Sequence, residues 1–142
     1  MYKKILIAVE NSAADRALLP HVTELACLVG AEVLVLHVAD GWAARNLEQL
    51  TLAESEEIKA DRAYLEATAE TLRTKGIKAR AILAMGNPPH EILKVSEAEK
   101  CDLIAMASHG HKLFGDFFFG STIAKVRHET PIPILVVRGG KP

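Results

Sequence analysis

"KKILIAV", residues 3–9, decides the class of fold. Two lysines give way to the unbroken apolar run Ile5, Leu6, Ile7, Ala8 and Val9. A strand with one wet face would alternate polar and apolar residues. A continuous run instead marks a strand covered on both faces, which is the habit of parallel sheets. The same signature returns in "AEVLVLHV" (31–38), "IKARAILAM" (77–85), "CDLIAMA" (101–107) and "IPILVVR" (132–138).

Helical stretches separate these runs. Leu18, Val22, Leu25 and Val29 recur at roughly 3.6 residues and define one face. Ser12 with Asp15 resembles a capping box at the start of that helix, Pro20 should kink or delay it, and Gly30 ends it. The segment from 47 to 75 is rich in Glu, Ala, Leu and Lys and stops at Gly76. Its acidic residues Glu54, Glu56, Glu57 and Asp61 alternate with Lys59 and Arg62 and read as a solvent face. "GNPPHEILKVSEAEK" (86–100) is a turn followed by a helix, with Asn87 as N-cap and Pro88 in the first position. A last helix is expected from near Gly120 to about His128, with Ile123 and Val126 facing inward and Pro131 barring its continuation.

Strands alternating with helices make βαβ units with right-handed crossovers. The chain is therefore expected to be an α/β protein with one doubly wound, Rossmann-like, five-stranded parallel sheet and helices on both faces. No repeat or linker interrupts residues 1–142, which are about one domain's worth of sequence.

Composition narrows the function. Seventeen basic against eighteen acidic residues leave a net charge of -1, which argues against nucleic acid as a partner. Cys27 and Cys101 each lie in an apolar segment and are expected to be two buried free thiols of a reducing compartment. The N-terminal apolar run is too short for a signal peptide, and none approaches the roughly 20 residues of a membrane span. A cytoplasmic location without a membrane partner is the expectation.

In such sheets ligands bind at the carboxyl ends of the strands, where the strand order reverses. If the first strand is central and the fourth lies beside it, "ENS" (10–12) and "SHGHKLFGDFFFGST" (108–122) face each other there. The second of these is a long connection that ends on Gly120, Ser121 and Thr122 where a helix is expected. A helix start offers unpaired N–H groups to an anion, and glycine admits close approach. Capping alone would also explain those three residues.

Other chemistries find little support. Gly110 to Gly115 has the glycine spacing of a P-loop, but Asp116 and Phe117 replace its Lys and Ser/Thr. No dinucleotide fingerprint follows the first strand. His109 and His111 lack the further ligands of a metal site. Ser12 and Ser108 have no evident histidine and acid to activate them, Asp116 reads as a solvated loop carboxylate, and no catalytic residue is assigned. His37, inside a strand, reads as a satisfied core histidine. Trp42 either covers a pocket or meets a partner.

"ILIAVENS", "GNPPHEIL" and "LIAMASHGHKLFGDFFFGST" leading to "IPILVVR" together resemble the universal stress protein family along the whole chain. Its nucleotide-binding branch carries G-x2-G-x9-G-(S/T). Here Gly110, nine residues, then Gly120-Ser121 keep the spacing, and Ala107 stands at the opening glycine. The resemblance implies the strand order 3-2-1-4-5 and an adenine nucleotide, ATP or AMP/ADP, with or without Mg2+. It assigns Gly110, Gly120, Ser121 and Thr122 to the phosphates, and Val38, Ala8 and Val9 to the adenine side. Met106 falls beside the ribose and phosphates, and Glu10 stands where the family has the ribose-binding Asp. Phe117, Phe118 and Phe119 fall on positions that pack the loop and set Gly120.

The resemblance also implies a homodimer through 132–138, an apolar edge blunted only by Pro131 and Pro133. The protein is thus expected to be a dimeric nucleotide-binding sensor or regulator of a stress response. A slow ATP-hydrolysing or adenylyl-transferring enzyme, and a ligand-free scaffold working through a protein partner, remain alternatives.

Overall fold

The computed structural model describes residues 1–40, 52–108 and 114–139. The elements in chain order are β1 (Lys4–Ala8), α1 (Asp15–Val29), β2 (Glu32–Asp40), α2 (Leu52–Thr74), β3 (Ala79–Gly86), α3 (Pro88–Ala98), β4 (Leu103–Ser108), α4 (Phe114–Glu129) and β5 (Ile134–Arg138). All five strands are parallel, in the order β3-β2-β1-β4-β5. β1 is central, with Ile5 opposite both Val33 of β2 and Leu103 of β4.

The unbroken apolar runs have the burial they call for. Ile5, Leu6 and Ile7 are all 0% exposed, because successive side chains enter opposite layers. On one face Ile5, Ile7, Val33, Val35 and Ala105 meet Leu18 and Val22 of α1 and Leu65, Ala69 and Leu72 of α2. On the other, Leu6, Leu34, Leu36, Ile104 and Met106 meet Ile92 of α3 and Val126 of α4. Each such large side chain stabilises the fold by about 1.5–3 kcal/mol relative to exposure.

Local signals set most element ends. Gly30 closes α1 at φ 70°, a left-handed position that glycine takes without a Cβ penalty. Asn87 caps α3: its side chain accepts from His90 N, with prolines in the first turn. At the amino ends of the strands, the Asp102 carboxylate accepts from the backbone N–H of Lys3 and Lys4. Nearby, hydrogen bonds from Lys4 and then Arg80 hold the Glu99 carboxyl below the usual carboxylate range.

Several expectations need correction. α1 runs through Pro20, which is exposed, so the Arg16 carbonyl deprived of its i+4 donor lies on the solvent side. The Ser12–Asp15 capping box does not form. The N-cap is Ala14, without a side-chain cap, and Asp15 bonds further upstream. Cys27 is exposed and only Cys101 is buried, because Cys27 falls one step past Ala26 on the outward side of α1. α4 begins at Phe114 rather than near Gly120, because neither Gly115 nor Gly120 ends the helix and no proline intervenes before Glu129.

Candidate functional site

The chain moves from β1 through α1 to β2 on one side, and from β4 through α4 to β5 on the other. The carboxyl ends of β1 and β4 therefore diverge into opposite crossovers and leave a crevice between them. Of the residues singled out in the sequence, Ala8, Val9 and Glu10 leave β1 there, Met106 and Ala107 end β4, and Val38 lies near the end of β2. Gly110, His109 and His111 fall outside the described residues, as does Trp42. Phe117, Phe118 and Phe119 lie in α4, with side chains outside the described set.

The exposures of these residues differ. Ala8, Glu10 and Val38 are half-buried, whereas Val9 is 4% exposed. Met106 packs in the layer under α3 and α4, so it offers the crevice backbone rather than side chain. The Ala107 methyl is packed in the layer under α1, together with Val9 and Ala14. The methyl that replaces the family's glycine hydrogen is thus absorbed by the core. Gly120 and Ser121 are exposed on α4, while Thr122 is buried.

The loop after β1 is held by groups that sequence reasoning missed. Val9 N–H still pairs with Leu36 O at 2.8 Å, after which the chain turns away. Asn11 sits at φ 59°, a region that asparagine tolerates better than most residues. Asp15, 2% exposed at the start of α1, accepts from Glu10 N at 3.0 Å, Asn11 N at 2.8 Å and the Tyr64 hydroxyl at 2.6 Å. The α1 N-terminus also favours its charge. Burial first, and then the Asp15 carboxylate, push the Tyr64 phenol far above its ordinary pKa. Ser12 Oγ donates to Glu10 Oε1 at 3.1 Å and accepts from Ala14 N at 3.3 Å, which orients the acid residue of the loop.

A second set of bonds comes from β2 and α2. His37 Nδ1 lies 2.9 Å from Val9 O, and its Nε2 lies 3.3 Å from Asp61 Oδ2. Asp61 Oδ1 accepts from Asn11 Nδ2 at 3.1 Å. Asp61 belongs by sequence to a solvent-facing stripe. Its side chain is only 14% exposed, because it turns inward one helical turn from Tyr64. The histidine is indeed satisfied, at both nitrogens, but at the mouth of the crevice.

On the other side Gly139 N–H donates to Ser108 O at 2.5 Å, and the chain leaving β5 closes over Ala14. A Cβ at Gly139 would meet Ser108 O at 3.1 Å, a tight approach that glycine relieves. The only sequence signal was the pair Gly139-Gly140.

The crevice thus has a braced loop on one wall, buried β4 at its base and an exposed glycine on the helix beyond. The sequence model of the universal stress protein family matches residues 1–138. The chain belongs to that family. It is 31% identical to universal stress protein MJ0577 of Methanocaldococcus jannaschii, covering 97% of this chain and 96% of that one. It is 32% identical to a universal stress protein of Thermus aquaticus, over 97% of this chain and all of that one. The solved structure of MJ0577 superposes with a TM-score of 0.82, at 30% identity, over 100% and 99% of the two chains.

The universal stress protein fold is shared more distantly by the Archaeoglobus fulgidus universal stress protein solved in complex with dAMP. That match has a TM-score of 0.71 and 21% identity, over 96% and 98% of the chains. As in a family of this architecture, no helix among the described residues is long and apolar enough to cross a membrane.

Proposed function

We propose that this universal stress protein binds an adenine nucleotide in the crevice between β1 and β4, as ATP or as AMP/ADP, with or without Mg2+. In this reading it acts as a homodimeric regulator of a stress response. One observation carries the proposal. Gly120 sits in the interior of α4, where glycine costs about 1 kcal/mol relative to alanine. Its backbone has no positive φ, and an added Cβ would find nothing within 4 Å. Among the described residues nothing calls for a glycine there, whereas a ligand lying against the helix would.

The remaining residues suit the same occupant. Gly110, Ser121 and Thr122 would join Gly120 around the phosphates. Ala8, Val9 and Val38 line the adenine side, and the half-buried Glu10 carboxylate would accept from ribose hydroxyls. Met106 and Ala107 form the base. The distant relative solved in complex with dAMP supports an adenylyl ligand.

Protein purified without added nucleotide should release one on denaturation, detectable by its absorbance and by mass spectrometry, and added ATP should raise Tm. Gly120→Val should abolish both effects and leave the unliganded Tm within a few degrees of wild type, because the added Cβ finds no atom of the described residues within 4 Å. No released nucleotide and no thermal shift with ATP would overturn the proposal.

A further inference from the structure

The nucleotide reading leaves His37 and Asp61 without a role, and their geometry suggests one. Val9 O can only accept, so His37 Nδ1 must carry a proton to bond it at 2.9 Å. Asp61 Oδ2 faces Nε2 at 3.3 Å, and an ionised carboxylate can also only accept. Both contacts are favourable together only while a proton lies between Nε2 and Oδ2. The same carboxylate reaches the loop through its other oxygen, which takes Asn11 Nδ2 at 3.1 Å. Four groups from three segments, the 9–11 loop, β2 and α2, thus close a ring: Val9 O, the His37 imidazole, the Asp61 carboxylate and the Asn11 amide.

We infer that His37 and Asp61 are positioning residues that hold the 9–11 loop in its nucleotide-facing conformation through this shared proton, so that nucleotide affinity falls as pH rises. The inference rests on the proposed nucleotide site. His37 directly precedes Val38, and the ring it closes includes Val9 and borders Glu10. Histidine ordinarily changes charge between about pH 5 and 8, within reach of cellular change. The sign follows from the contacts. At lower pH the imidazolium satisfies both acceptors. At higher pH a lone pair on Nε2 faces the carboxylate, the ring opens between His37 and Asp61, and the Asn11–Asp61 bond to the loop loses the imidazole that orients it.

Among the described residues the charged and titratable groups around the imidazole are few. Asp61 and Tyr64 come from α2, Asp15 from α1 and Glu10 from the loop, while Arg62 beside Asp61 is exposed. From β3 the residue paired with His37 is Leu83. Asp15 and Tyr64 bond each other and the loop amides, which leaves Asp61 as the acid in contact with the imidazole.

The test uses the full 15N-labelled chain between about pH 5.5 and 8.5, with ATP as the probe. The Glu10 and Asn11 amide signals should move in step with the His37 ring protons, without ligand. The Kd for ATP should rise about fivefold or more over the same range, the lower end of ordinary coupling between sites. Asp61→Asn should reverse or flatten that trend, because the new amide can donate to a neutral Nε2 while its oxygen still takes Asn11. His37→Asn keeps a donor for Val9 O and loses the acid, so its Kd should match the alkaline wild-type value at every pH.

A merely structural role would lower Tm in both variants but would not turn the pH profile around. Loop amides that ignore the His37 titration, or an unchanged profile in Asp61→Asn, overturn the inference. If the variants fail to fold, the wild-type amide titration decides alone. Amides that follow His37 in a protein that binds no ATP at any pH overturn the nucleotide reading, with the proton-linked loop left standing.

Discussion

Asp15 shows how much of this site rests on single side chains. It is a buried carboxylate that accepts from two loop amides and one phenol. Hydrogen bonds to a charged group are worth about 1.5–3 kcal/mol, and orphaned buried donors cost a similar amount. Asp15→Ala should therefore lower unfolding stability by about 2–4 kcal/mol in urea denaturation, and should weaken ATP binding through the loosened loop. Tyr64 adds a pH dependence. Its phenol is raised in the folded state, so the neutral form contributes stability that is fully present below the ordinary tyrosine value of about 10 and lost as pH rises past it. Tyr64→Phe should cost about 1–2 kcal/mol at neutral pH and make the alkaline limb of the stability profile shallower.

At the scale of the element, helical phase decides which side chains are accessible. Ala26 and Cys27 are neighbours in α1, yet the first is 1% exposed and the second is on the solvent side. Cys101, just before β4, is 5% exposed, and burial pushes its thiol up to about 11. Because the thiolate is the reactive form, a thiol reagent near pH 8 should modify one cysteine per chain quickly in the native protein and two in denaturant. Rapid modification of both would contradict this packing. The same phase argument explains Asp61. The run Glu54 to Asp61 reads as a charged stripe, and Lys59 does pair with Glu56 in solvent. But Asp61 lies one turn before Leu65, which is 1% exposed, and so turns toward the sheet.

At the scale of the molecule, the exposed sheet edge is the outstanding feature. β5 packs Leu135 and Val137 beneath α1, while Ile134 packs on the opposite layer. Val136, on the same side as Ile134, remains 44% exposed. An apolar edge of this kind invites pairing with a second copy. In the proposed dimer, Val136→Asp should place like charges near each other and convert a dimeric elution in gel filtration at micromolar protein into a monomeric one, with little change in far-UV circular dichroism. Monomeric wild-type protein would count against the dimer.

Local sequence did not carry the starts of α1 and α4, but it did carry the strands, the two-layered burial and several element ends. Those features depend on local periodicity and on residues such as Gly30 and Asn87, whose effects reach no further than one turn. The crevice at the carboxyl ends followed once β1 was placed at the centre beside β4, an order that the family resemblance implied and the structure shows. Only the tertiary structure showed how that crevice is braced. His37 and Val9 are 28 residues apart, Tyr64 and Asp15 are 49 apart, and Asn11 and Asp61 are 50 apart. Nothing in a local pattern marks such pairs, because their meeting depends on how α2 lies across β1 and β2. The start of α4 was misplaced for a related reason: glycine marks a helix end only when the surrounding packing lets the chain turn there.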